Sequence, residues 1–92
     1  MYASIRRSRA DQAQLEDARK MLEDEIIPRV RQLPGAVAGY WFAPADGMTT
    51  SIVVFDSKDD AERPIPNAQP GDSPAPGVTI ESVEVREVLG KF

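Results

Sequence analysis

Three side chains in this sequence carry chemistry suited to holding a small molecule: Arg7, Tyr40 and Trp41. Arg7 shares strand parity with Ile5, so a strand there takes its guanidinium either out past the core or into a cleft. Tyr40 offers a phenolic donor to a ligand oxygen, or a buried hydroxyl satisfied by the protein itself. Trp41 serves as core, as interface or as the aromatic wall of a pocket. What these residues lack is a partner for proton transfer. The chain has no His and no Cys, which removes the commonest general base, the thiolate nucleophile and the commonest metal ligands. A serine triad of the usual form is excluded on the same ground, and Lys58 and Lys91 sit in no Schiff-base context. Residue types therefore assign no catalytic residue, no metal and no cofactor.

The elements that must position these residues belong to one small domain spanning residues 1–92. A chain of this size buries roughly 60–65% of its unfolded surface, so a lone monomer is marginal and association is the expected remedy. The balance of 11 Lys+Arg against 15 Asp+Glu, a net charge of −4, argues against nucleic acid as a partner. Arg6, Arg7 and Arg9 are too few, and too divided between strand faces, to track a phosphate backbone. No apolar run is long enough to span a membrane, and the N-terminus carries no signal-peptide hydrophobic region. A cytoplasmic protein is the expectation.

Tyr2–Arg9 alternates as a half-buried strand, with Ala3 and Ile5 on its inward parity. Asp11 reads as a helix N-cap, and Gln14 three residues on completes a capping box. Leu15, Ala18, Leu22, Ile26, Val30 and Leu33 then step by three or four, one apolar stripe opposite a charged, solvated face. Pro28 interrupts that pattern and predicts a kink or a restart, because it lacks a donor and clashes with the Asp24 carbonyl. Pro34-Gly35 ends the helix. Val37–Ala43 and Thr49–Asp56 flank the Asp46-Gly47 turn signal and predict a hairpin. In its second strand Ile52, Val53, Val54 and Phe55 are all apolar, which predicts cover on both faces. Helices cover one face; in so short a chain the other needs a partner.

Asp56 or Ser57 caps a short second helix, which Pro64 and Pro66 bring to a stop. Pro64–Gly77 is a long proline-rich connection, read either as a stiff surface loop or as a lid over a pocket. Val78–Leu89 is the last strand. Its apolar parity changes at Glu81-Ser82, which predicts a β-bulge or two halves packing on different layers. The fold class is α+β: the βαββαβ order of a ferredoxin-like fold, with a four-stranded antiparallel sheet.

Within that order, Ile26-Ile27-Pro28 followed by Leu33-Pro34-Gly35 and an aromatic strand resembles the antibiotic-biosynthesis-monooxygenase-like branch of the dimeric α/β-barrel superfamily. Ser51–Ser57, a strand ending in Phe55 and running into acids, is similar to the same branch. The resemblance implies a homodimer in which two sheets pair into a dimeric α/β barrel, with a hydrophobic cleft between sheet and helices. It makes Trp41 the counterpart of a strand aromatic and Asn67 a stand-in for a polar amide. Two functions compete on this basis. One is a module that binds a hydrophobic or aromatic small molecule without turnover. The other is a cofactor-independent monooxygenase acting with O2 on a phenolic or quinol substrate under the Pro64–Gly77 loop. There Trp41 forms a wall, Tyr40 or Asn67 hydrogen-bonds a developing oxyanion, and Arg7 stabilises it by charge. The candidate ligand-binding residues are thus Arg7, Tyr40, Trp41 and Asn67.

Overall fold

The computed structural model describes all of residues 1–92. Strand β1 (Tyr2–Ala10) leads through a single turn of 3-10 helix at Gln12–Gln14 into α1 (Leu15–Met21). A π-helical segment, Leu22–Ile26, joins α1 to α2 (Ile27–Val30) without a break. Strands β2 (Ala36–Trp41) and β3 (Met48–Phe55) follow, then α3 (Lys58–Glu62) and β4 (Val78–Glu87). The sheet order is β2-β3-β1-β4 with every neighbouring pair antiparallel. It follows that β1 and β2 run parallel with β3 between them, and β3 and β4 run parallel with β1 between them. Both helical connections are split β-α-β crossovers, and the architecture is compatible with a ferredoxin-like fold.

Pro28 does not break the helix. Ile27 N–H bonds to the Leu22 carbonyl five residues back, and this widened turn accommodates a proline that an α-helical turn would clash with. The capping box does not form either. Asp11 accepts from Ala13 N–H through its side chain, but its own backbone N–H goes to the Gly77 carbonyl at 2.8 Å. Gln14 has no donor left to receive there, and the helix start is tied to the far end of the proline-rich loop instead. Asp46 (φ 54°) and Gly47 (φ 76°) make the two-residue hairpin turn that their sequence announces. Ser57 caps α3, its hydroxyl accepting from Asp60 N–H at 3.1 Å. The change of parity in β4 is a register shift: Arg7 faces Ser82, whereas Ser8 faces Ile80, leaving Glu81 as the additional residue.

The register decides which side chains share a face. Ser4, Arg6, Ser8 and Ala10 of β1 stand on the side of Val53 and Phe55 (β3) and of Val83 and Val85 (β4). That side carries the helices, for Ala61 of α3 packs with Val53 and Phe55 to form the buried core. Ala3, Ile5 and Arg7 therefore lie on the opposite, uncovered face with Ile52, Val54 and Tyr40. Ile5 is not on the inward parity. Val85 likewise packs against the core cluster, so a charge placed there attacks the fold itself.

Candidate ligand-binding cleft

The buried apolar side chains form a cluster at one end, while Ile80, Ala10 and Ala75 are buried singly along the cleft. Val53 (4% exposed), Phe55 (2%) and Ala61 (5%) are closely packed beside α3. Along the long helix, by contrast, no residue is fully buried. Leu15, Ala18, Leu22, Ile26 and Val30 are only half-buried, because they roof an open cleft of about 210 Å3 between helix and sheet. Arg6, Ser8, Trp41, Ser51 and Ile80 belong to its floor, and Ile65, Ala68, Pro74 and Ala75 of the proline-rich loop close one side.

That loop is more than a surface connection. Ala75 is buried, and the Gly71 N–H and Asp72 carbonyl bond to both backbone groups of Ile80, at 2.8 and 2.9 Å, covering part of the outer edge of β4. Ser73 adds a hydroxyl bond to the Val78 carbonyl at 2.6 Å. The Arg6 Nε donates to the Ala68 carbonyl at 2.9 Å, so the cleft wall is fastened to the cleft floor.

Trp41 lines the cleft. Its ring folds back over Gly39, where a Cβ would lie 2.8 Å from Cζ3 and 2.9 Å from Cη2. Gly39 thus gives the indole a resting place on the same face of β2, two residues away. Phe42 also borders the cleft: β2 ends at Trp41, so strand alternation, which would set Phe42 on the face of Tyr40, does not apply to it.

The remaining sequence candidates stand elsewhere. Arg7 is exposed on the uncovered face, opposite Thr50. Tyr40, 57% exposed, shares that face beside Ile52. Asn67 sits in a turn with φ 60° and borders an adjoining depression with Met21, Glu25, Arg29 and Ser73, which shares Ile26, Pro74 and Ala75 with the cleft. The structure brings Arg7 and Tyr40 onto one face, Trp41 onto the other, and Asn67 into a depression that adjoins the cleft without lining it.

The residue that sequence reasoning passed over is Arg6. It is 8% exposed, it lines the cleft, and it forms no ion pair. The ion pairs in the molecule are Arg9–Glu81, Arg63–Asp60 at 3.2 Å and Arg86–Glu84 at 3.3 Å. Arg6 instead donates to neutral acceptors, the Ala68 carbonyl and, through Nη1, the Ser4 hydroxyl at 2.7 Å. Burial pushes its pKa below the ordinary arginine value, the direction expected when a charge loses water without gaining a counter-ion. The signal that could have found it is the row Ser4, Arg6, Ser8: small polar residues either side of one long cation leave it room to lie down within a covered face. No group of three or more His, Cys, Asp or Glu side chains gathers closely enough to hold a metal, and no helix is long and apolar enough to cross a membrane.

No family model matches this sequence, and no curated protein or solved structure matches it.

Proposed function

We propose that this chain is a binding module for a hydrophobic or aromatic small molecule held between the sheet and the long helix. The observation that carries the reading is the uneven interior. A fully apolar helix stripe is left half-buried over an open cleft, while the same sheet face is closely packed a few residues away. Apolar surface kept open is a standing cost of roughly 25 cal/mol per Å2, and a ligand that covers it offsets that cost. The cleft, at about 210 Å3, is smaller than the roughly 300–1,000 Å3 pockets that take drug-sized ligands, which favours a compact occupant. Binding is favoured over turnover because Arg7, Tyr40 and Asn67, the groups an oxygenase mechanism would place around the substrate, do not border the cleft with Trp41.

Pairing of two copies through the uncovered sheet face belongs to the same reading. Ile5, Ile52 and Val54 form an apolar strip there with no helix over it, and Tyr40 stands exposed beside it. Light scattering should show a dimer at low micromolar concentration; a stable monomer would end the pairing proposal. The cleft is tested by thermal shift against a panel of bicyclic aromatic compounds. A ligand present at 100 times its dissociation constant should stabilise the fold by about 2.7 kcal/mol. Ser51→Leu, which raises the floor between Trp41 and Arg6, should lose that shift. A panel without hits, or hits untouched by Ser51→Leu, would remove the cleft as the site.

A further inference from the structure

Arg6 is a buried cation without an anion. Of its five N–H donors, one on Nε and one on Nη1 are used, both on uncharged oxygens. Nη2 makes no hydrogen bond, and no side-chain nitrogen or oxygen that is sealed from solvent lacks a partner. The free end of the guanidinium is therefore open to the cleft that Arg6 lines. The one carboxylate bordering that cleft is Asp11, exposed at its rim, already accepting from Ala13 N–H and accompanied there by Arg19. No anion of the protein approaches Arg6.

The sheet register says what else stands near it. Trp41 and Arg6 are both paired with Ser51, from opposite sides, so the three form one row across β2, β3 and β1. Two strand spacings put the Trp41 and Arg6 Cα atoms about 10 Å apart, with the short Ser51 side chain between them and Leu22 and Ile26 among the roof residues. Both side chains lean the same way along their strands, the indole over Gly39 and Nη1 onto the Ser4 hydroxyl, so they flank Val53, which pairs with both Gly39 and Ser4: an aromatic wall at one end of a slot and a guanidinium at the other.

We infer that the cleft selects a monocarboxylate borne on a compact apolar body, the body against Trp41 and the carboxylate on the free Nη groups of Arg6; this rests on the cleft-binding reading above. A planar carboxylate matches the guanidinium fork and forms charge-assisted bonds to it. A single buried arginine in an otherwise largely apolar lining suits one negative charge. The second cation of the lining, Arg19, is exposed at the rim with Asp11, so the floor offers one buried positive charge, which a monoanion matches better than a phosphate dianion. The ligand's charge would also relieve a desolvated cation that the fold leaves uncompensated.

The test is calorimetric titration of the full chain with 2-naphthoate and with its uncharged counterpart 2-naphthamide. Naphthoate should bind about tenfold tighter or more, the scale of a hydrogen bond to a charged group. Arg6→Gln should bring that ratio close to one, over and above any loss common to both compounds from releasing the Ala68 wall that Arg6 fastens. In the unmodified protein, naphthoate should shift the NMR resonances of both Arg6 Nε–H and Trp41 indole N–H, whereas naphthamide should shift chiefly the indole. This arm needs no variant, so it holds even where Arg6→Gln fails to fold. Equal binding of the two compounds, or a preference that survives Arg6→Gln, overturns the anion inference and leaves the cleft as a site. Binding of neither compound overturns the inference and the cleft reading together.

Discussion

One face of one sheet meets two helices in two different ways. At the α3 end, Phe55 and Val53 close against Ala61, whose single methyl lets that short helix lie directly on the strands. At the other end, Leu15, Leu22 and Ile26 of the long helix face the same strands across an open space. The floor there includes Ser8, Ser51, Arg6, Trp41 and Ile80: two small polar groups that cannot fill the gap, beside bulkier groups at its sides. Close packing requires large and small side chains to interdigitate. The α3 end meets that condition and the cleft end does not. Stability is therefore concentrated at one end and capacity for a ligand at the other.

The most severe way to break the contrast is Phe55→Ala. Removing a ring that is 2% exposed should cost about 3–5 kcal/mol, a large share of the roughly 5–15 kcal/mol that holds a domain together. Urea denaturation should show a collapsed midpoint or no folded baseline at all. Leu22→Ala probes the other end. Leu22 already borders open space, so little new cavity forms, and the cost should stay near ~1 kcal/mol, well below the usual range for a buried leucine. A loss as large as that of Phe55→Ala would mean that the two ends are equally packed.

The smallest effect sharpens the site without unsettling the fold. Gly39→Ala places a methyl where the Trp41 ring now rests, and the ring, free on its cleft side, can tilt away. Stability should change by less than about 1 kcal/mol. The emission of this tryptophan, the only one in the chain, should shift as its contact with solvent changes. An unaltered spectrum would place the indole away from Gly39.

Local chemistry made much of the fold legible. The Asp46-Gly47 turn, the Ser57 cap and the Glu81 bulge each follow from properties that a residue carries with it: tolerance of positive φ, a hydroxyl acceptor, a parity that no longer matches. Pro28 was legible as an interruption, but a π-turn as its remedy was not, since a wider turn and a kink both answer the same missing donor.

The site was legible by half, and the reason lies in the period of a strand. Alternation divides β1 into Ala3, Ile5, Arg7 and Ser4, Arg6, Ser8, but it does not say which set the helices cover. Hydrophobicity favours the first set. The structure covers the second, because the helices pack on the side of Val53, Phe55, Val85 and Ile80. That choice is made by the whole sheet and not by β1, and it exchanges Arg7 for Arg6 as the arginine within. Sequence alone determined that two faces exist, where the turns fall and that Trp41 and Tyr40 part company. Only the tertiary structure decided which arginine loses its water, because burial depends on what packs above a residue and not on what precedes it in the chain.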